Sequence, residues 1–314
     1  MGPAGTPPPR SRVWLAFAAV YIIWGTTYLA IAYVIDTLPS LLAMGTRYIV
    51  AGAALWMLAP GSWRARPTRR DWAWAFGLGG LLLLAGNGIV SVVQNKMPSG
   101  VTALIITVVP LWMVLVEWVT GGGRPKPLSV LGILLGFGGV ALLAGEKGGW
   151  KGGEVDLLYV AALLFGTLCW AIGSILSRRG GIKLPLLRSV ALQMMAGSIL
   201  LVVASGIRGE WNGLHLENAS TMSLLAWLYL VTFGSIVAFS AYSWLLTVRP
   251  SAVVSTYAFV NPVVAVLLGA VFLGEPLGPR TVLASVLIVG AVVLVVYAKA
   301  RAAKALQASP APAK

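Results

Sequence analysis

The side chains that could do chemistry in this chain lie within long apolar segments, and few of them are ionisable. Arg47 is the one formally charged residue that falls deep inside such a segment. There are no paired carboxylates, no Ser/His/Asp set and no H-E-x-x-H motif, so the sequence offers no catalytic constellation. The single cysteine, Cys169, excludes an intrachain disulfide and a Cys-rich metal site. We therefore expect neither an enzyme nor a bound metal or cofactor.

The apolar segments contain aromatic and neutral polar side chains at depth. Tryptophan and tyrosine are common where a helix meets the membrane surface, but several here lie too far inside for that. They fit the wall of a cavity for an apolar group or for an ammonium group held by cation–π contact. The alternative is that each of them packs between helices. The residues predicted to bind a substrate are Trp24, Tyr28, Arg47, Asn87, Thr107, Trp112, Trp170, Gln193, Tyr257 and Asn261.

Two interpretations of Arg47 are open. A charge at that depth is costly and must face a partner or a water-filled cavity. Its guanidinium either binds backbone carbonyls and locks two helices together, or lines a pathway and meets an anionic group.

The elements that must position these residues are transmembrane helices. The chain is 58% hydrophobic and 10% charged, whereas soluble domains carry about 25% charged residues. A membrane span needs about 20 apolar residues. The segments that qualify predict an all-α membrane protein with ten transmembrane helices, over Val13–Tyr33, Leu41–Leu58, Trp72–Gln94, Ser99–Val119, Leu128–Ala144, Leu157–Leu176, Ser189–Ser205, Thr221–Leu246, Ser251–Leu273 and Thr281–Ala298.

These ten helices form two repeats of five. Residues 98–142 can be laid on residues 250–294 without gaps, and 16 of the 45 positions are identical. Five spans is an odd number, so the second repeat enters the membrane from the opposite side and the repeat is inverted. The predicted organisation is a cytoplasmic N-terminal tail (1–12), a first repeat (13–144), an external linker (145–156), a second repeat (157–298) and a disordered cytoplasmic tail (299–314).

Pro110 and Pro262 occupy equivalent positions in the fourth and ninth helices. Each removes a backbone hydrogen bond, and interruptions paired between two halves indicate a transporter site. We predict that both act as hinges. The carbonyl that Pro262 frees can be satisfied by a neighbouring polar group, for which Asn261 is a candidate, or by a substrate.

The charge distribution predicts the orientation. Of the 23 basic residues, 17 fall in the tails and connections of one side and five on the other. Basic loops remain in the cytoplasm, which places both termini there. The same rule explains the net charge of +14 without a nucleic-acid partner.

Several motifs resemble those of a known family. They are Trp24-Gly25, Pro39 through Arg47-Tyr48, Pro98-Ser99 through Pro110, and Asn261-Pro262 through Gly274-Glu275-Pro276. Together they resemble the drug/metabolite transporter superfamily, specifically its ten-helix EamA-type exporters, and are most similar to bacterial aromatic amino-acid exporters. The family's glutamate after the ninth helix is Glu275, whereas the equivalent position of the first repeat is Gly123.

The resemblance implies export across the bacterial inner membrane by alternating access. The expected substrate is a small amphipathic metabolite, with amino acids first and aromatic ones preferred. A lipid or nucleotide-sugar carrier of the same fold is the alternative, and a non-transport membrane protein is a further one. The expected partners are this substrate and membrane lipids, and a monomer is favoured.

Overall fold

A computed structural model of the chain describes residues 8–59, 66–121, 124–144, 157–275 and 277–308. Within these ranges the chain folds into ten helices, joined by short connections. Eight are long and apolar enough to cross a membrane, and the other two contain shorter apolar helices. They are α1 (Arg10–Thr37), α2 (Ser40–Leu58), α3 (Arg69–Gln94), α4 (Ser99–Val119), α5 (Pro127–Ala144), α6 (Leu157–Arg179), α7 (Leu186–Ile207), α8 (Thr221–Val248), α9 (Ser251–Val254 and Tyr257–Leu273) and α10 (Pro279–Ala308).

Local sequence explains where several helices begin. Pro9, Pro39, Pro98 and Pro185 each stand directly before a helix, where a proline leaves no backbone N–H unpaired. Helix α3 begins with a capping box instead, in which Thr68 and Asp71 satisfy each other's backbone N–H groups. These signals set the N-terminal ends of helices whose interiors are apolar on all sides.

Several helices extend beyond their predicted boundaries, and two of these differences change an assignment. Helix α7 begins at Leu186, so Arg188 lies in its first turn rather than in the preceding connection, and Arg188 is buried. Helix α10 continues to Ala308, whereas a disordered tail was predicted from residue 299. The Ala-, Lys- and Arg-rich composition of 299–308 favours helix. The predicted linker 145–156 and the ends 1–7 and 309–314 lie outside the described residues.

The helices pack in a pattern that the two repeats share. Helices α2 and α7, which are equivalent, pack against each other, and so do α5 and α10. Helix α1 packs on α8 and α9, and its equivalent α6 packs on α3 and α4. Helices α3 and α8 each contain a ten-residue π-helical stretch, Gly79–Gly88 and Leu230–Phe239. The internal duplication read from the sequence is therefore also present in the packing and in an unusual local conformation.

The glycine-rich face of α5 packs within the chain. A methyl group on Gly132 would lie 2.6 Å from Val295 Cγ2 and 2.8 Å from the Ala291 carbonyl oxygen. One on Gly139 would lie 2.6 Å from Ile288. All three neighbours belong to α10, so the small residues allow α5 and α10 to approach closely.

Carboxylates from the second repeat cap two helices of the first. Glu210, after α7, accepts hydrogen bonds from the backbone N–H groups of Leu41 and Leu42, each 3.0 Å long, at the start of α2. Glu275, after α9, accepts from the N–H groups of Ser99 at 2.5 Å and Gly100 at 2.9 Å, at the start of α4. Both caps lie on the face of the molecule where α1 ends and α2 begins. They fasten the two repeats together there.

The equivalent helices α4 and α9 are both interrupted, but at different distances from their prolines. In α4 the helix breaks at Thr107 and Val108, and Pro110 stands in the first turn of the second part. In α9 the break falls at residues 255–256, and Pro262 lies inside the following helix. The Asn261 amide nitrogen, oriented to donate, lies 3.2 Å from the Tyr257 carbonyl and 3.0 Å from the Tyr21 carbonyl. It thus binds the carbonyl next to the one that Pro262 frees, and ties α9 to α1.

Candidate functional site

A cavity lies between the two repeats, near the middle of the helices. Its volume is about 70 Å³, well below the about 300–1,000 Å³ that is usual for small-molecule sites, so the cavity is small in this conformation. Both repeats contribute to its wall, through α1, α2, α3 and α4 on one side and α6, α8 and α9 on the other. The lining residues are Trp24, Thr27, Tyr28, Ile31, Arg47, Tyr48, Gly86, Asn87, Ile89, Val90, Ile106, Val109, Leu163, Gly166, Thr167, Trp170, Gly234, Phe239, Tyr257 and Asn261.

A cluster of aromatic rings forms one end of the cavity. The Trp24 ring contacts three others, with centroid distances of 5.6 Å to Trp170, 4.8 Å to Tyr242 and 5.2 Å to Tyr257. Trp170 also contacts Phe239 at 6.3 Å. Three of these four pairs are edge-to-face, an arrangement that aromatic rings prefer, and the Trp24–Tyr242 pair is tilted. Trp24, Trp170, Phe239 and Tyr257 of this cluster line the cavity.

Hydrogen bonds hold the rings of this cluster in place. The Trp24 Nε1–H donates to the Gly234 carbonyl at 3.4 Å, and the Tyr242 hydroxyl pairs with Ser174 Oγ at 2.7 Å. These bonds join α1 to α8 and α8 to α6. The Trp24 ring is therefore positioned by a contact between the two repeats, and the Tyr242 ring by one within the second repeat.

Arg47 lies in the cavity wall and is only 3% exposed. Its Nε donates to Ser235 Oγ at 2.7 Å, and Nη1 contacts the Met44 sulfur at 3.5 Å. Its guanidinium carbon also stands over the Tyr48 ring, 4.6 Å from the centroid. In the described part of the chain it makes no hydrogen bond to a backbone carbonyl and no ion pair. The first interpretation of this residue, a lock on backbone carbonyls, is not what the geometry shows.

The two π-helical stretches carry polar side chains at the cavity. In α3 the Asn87 amide donates to the Leu82 carbonyl at 3.3 Å, and in α8 the Ser235 hydroxyl donates to the Leu230 carbonyl at 3.0 Å. In both cases the acceptor is five residues earlier, as the wider turn allows. π-Helical turns occur frequently at functional sites. Here they place Asn87 and Gly234 at the wall of the cavity.

Seven of the ten predicted binding residues line this cavity, and three lie elsewhere. The Trp112 indole donates to Thr167 Oγ1 at 3.0 Å from behind the wall, and its ring packs on Phe137. Thr107 donates to the Ala103 carbonyl within its own helix. Gln193 is buried in α7, beside Gly79 of α3.

Sequence reasoning missed several residues of the wall. Tyr48 is adjacent to Arg47 in the chain, and this adjacency could have indicated that Tyr48 also lines the cavity. Gly86 and Gly234 have no side chain whose chemistry could suggest a role. Gly86 nevertheless leaves room beside the Trp170 ring, and Gly234 leaves room beside Arg47 Nη2. A methyl on Gly86 would lie 2.7 Å from the Trp170 ring.

A second, polar cavity lies at the end of the molecule where α1 ends. Its lining includes Asp36, Lys96, Tyr159, Arg208 and Glu210. On α1, Ile35 lines this second cavity about one turn beyond Ile31, which lines the central cavity. On α3, Val92 lines the second cavity less than one turn beyond Val90, which lines the central one. The two cavities thus follow one another along the same helices.

Comparison with known proteins agrees with this architecture. A crystal structure that is 21% identical covers 96% of this chain with a TM-score of 0.64, and is itself covered completely. The chain is 36% identical over 289 residues to YedA of Escherichia coli strain K12, described as an uncharacterized inner membrane transporter, with 90% of each protein covered. It is 26% identical over 300 residues to the transporter YvbV of Bacillus subtilis strain 168, with 95% of each covered.

A family model matches the chain twice, over residues 11–145 and 157–297. Each match covers one of the two repeats, and together they include all ten helices up to residue 297. The chain belongs to the EamA-like transporter family.

Proposed function

We propose that this transporter exports amino acids, with phenylalanine, tyrosine and tryptophan preferred, by alternating access across the bacterial inner membrane. The observation that carries the proposal is the cavity between the repeats, whose wall is aromatic and neutral apart from one buried arginine. Its rings offer an apolar side chain a large surface, and offer an ammonium group cation–π contact worth about 2 kcal/mol when desolvated. Phosphates and polyols would meet few suitable partners there.

Alternating access needs elements that can bend near the site. The breaks in α4 and α9 lie close to cavity residues, because Ile106 and Val109 flank one and Tyr257 follows the other. We propose that Pro110 and Pro262 mark the hinges, since proline prevents the regular bonding that would stiffen these helices. Thr107, Trp112 and Gln193, which lie outside the lining here, would reach the substrate only in another conformation.

The membrane and the orientation also belong to the proposal. YedA is named an inner membrane transporter, and the basic connections favour cytoplasmic termini. With that orientation the polar cavity lined by Asp36, Lys96 and Arg208 faces outward, which suits the release of an exported solute. A monomer remains the favoured state, because the glycine face of α5 is already occupied by α10.

The test is transport by purified protein in liposomes. Labelled phenylalanine, tryptophan, threonine and a nucleotide sugar are presented separately, with protein-free liposomes as the blank. We expect time-dependent accumulation of the aromatic amino acids, slower uptake of threonine, and none of the nucleotide sugar. Cells that express the protein should also survive toxic phenylalanine analogues better than control cells. Movement of the nucleotide sugar without amino-acid transport would leave the family assignment intact and refute the substrate.

A further inference from the structure

The buried guanidinium of Arg47 has donors left over. Of its five N–H groups, one on Nε and one on Nη1 make the two contacts given above, and the two on Nη2 donate to no protein acceptor among the described residues. Burying a cation without a counter-ion is costly. The structure nevertheless retains one at the wall of the central cavity, where an anionic group of a ligand could reach it.

Gly234 leaves the space beside that free nitrogen. A methyl group at this position would lie 3.2 Å from Arg47 Nη2 and 3.4 Å from Thr27 Cγ2. Any side chain would therefore crowd the nitrogen that has no partner. Its carbonyl, at the same time, accepts the hydrogen bond from the Trp24 indole. Gly234, in the π-helical stretch of α8, thus adjoins the free donor of Arg47 and also binds the Trp24 ring of the aromatic cluster.

We propose that Arg47 and the open position at Gly234 form a carboxylate subsite. A carboxylate bound by Nη2 would leave the rest of a small molecule next to the Trp24 ring. The site would then select molecules that carry a carboxylate close to an aromatic or apolar group. Their decarboxylated amines would be rejected, because they leave the buried cation unpaired. This inference rests on the proposed function, for which it names the chemical group that is recognised.

Ser235 holds the guanidinium in position for this task. Its hydroxyl accepts from Nε while donating to the Leu230 carbonyl, which fixes one edge of the planar group. Nη2, which neighbours Nε on the same planar group, is left for the ligand. Arginine is suited to this because its donors form a rigid fork, whereas lysine offers a single mobile charge.

The test measures binding of two probes that share a phenyl ring and differ in charge. The full chain in lipid nanodiscs is titrated calorimetrically with 3-phenylpropionate and with phenethylamine, and empty nanodiscs correct for partition into lipid. We expect 3-phenylpropionate to bind about ten- to a hundred-fold more tightly, from the strength of hydrogen bonds to a charged group. Equal affinities for the two probes would overturn the proposal.

Variants locate the preference. Gly234→Ala and Arg47→Lys should each bring the two affinities to within a few-fold of one another. Gly80→Ala is the matched control, because Gly80 lies in the other π-helical stretch, and a methyl there meets only Leu200 Cδ1 at 3.5 Å. It should keep the wild-type preference. If Arg47→Lys fails to fold, Gly234→Ala carries the test with the arginine in place. A preference that survives Gly234→Ala refutes the subsite.

The liposome assay separates this inference from the proposed function. If aromatic amino acids are transported but the probes bind equally, the function stands and the subsite falls. If no amino acid is transported but the carboxylate preference exists and depends on Gly234, the subsite stands and the substrate assignment falls.

Discussion

Glu275 fastens the end of α9 to the beginning of α4, and its removal should weaken the fold measurably. Both carboxylate oxygens accept backbone N–H groups of the first turn of α4. In Glu275→Gln one oxygen becomes an NH₂ group that faces an N–H donor, and the charge at the helix N-terminus is lost. Hydrogen bonds to charged groups contribute about 1.5–3 kcal/mol and the helix dipole up to about 1 kcal/mol, so we expect destabilisation by about 2–4 kcal/mol.

A steric variant tests the same contact without changing the carboxylate. A methyl group on Gly269 would overlap Glu275 Oε2 and lie 3.0 Å from Ser99 Oγ. Gly269→Ala should therefore displace the carboxylate from the start of α4 and reproduce most of the loss. Because both changes remove one contact, the double variant should be scarcely less stable than either single variant.

The measurement is the melting midpoint in a fixed detergent, followed by tryptophan fluorescence. At about 2 °C per kcal/mol for a large chain, Glu275→Gln should melt about 4–8 °C below the wild type. The controls are Glu217→Gln, whose side chain is 72% exposed, and Gly290→Ala, where a methyl meets nothing within 4 Å. Both should melt near the wild type. If Glu275→Gln matches Glu217→Gln, or if the double variant shows the sum of both losses, the capping argument is refuted.

Three further outcomes follow from the site and the topology. Trp24→Ala should raise KM for phenylalanine up to about ten-fold, since an aromatic pair contributes about 0.5–1.5 kcal/mol. Threonine transport should change little, and Trp24→Phe should retain most activity. A uniform loss for both substrates would indicate packing alone. In a Cys169→Ser background, an impermeant maleimide should label Asn212→Cys but not Arg66→Cys in intact cells, and the reverse would invert the topology. Vesicle transport should persist when an imposed pH gradient is collapsed, because no Asp, Glu or His is among the described residues that line the central cavity; strict dependence on the gradient would require a proton relay elsewhere.

The sequence predicts the depth of a residue in the membrane better than the direction in which it points. Span lengths and the repeat follow from apolar runs and from identities at a fixed offset, so α4 begins and ends where predicted. In contrast, Val109 lines the cavity while Trp112, three residues later in the same helix, packs on Phe137. Because these helices are apolar on every side, no stripe of polar residues marks the inward face.

The caps escaped prediction for a different reason. Glu210 and Glu275 lie in connections, and their partners are backbone N–H groups about 170 residues away in sequence. The residue types of Leu41 and Ser99 do not indicate that their backbone N–H groups donate to a distant carboxylate. The π-helical stretches escaped in the same way, since their sequences are ordinary apolar runs. Long-range backbone partners and local helix width are properties of the packed chain.

The two faces of the transporter are not fastened alike. On one face Glu210 caps the start of α2, and on the other Asp71 accepts the Lys183 N–H just before α7 at 2.7 Å. These contacts occupy similar places under the inverted repeat, because Glu210 follows α7 and binds the start of α2, whereas Asp71 lies in the first turn of α3 and binds the connection before α7. Glu275 has no such counterpart, since the position that matches it in the first repeat is Gly123. Alternating access exchanges the roles of the two repeats. Among the described residues, two carboxylates join the repeats on one face and one on the other, so under the proposed alternating access the two faces would not open at equal cost, and a substrate shifts the balance only if it binds one state more tightly.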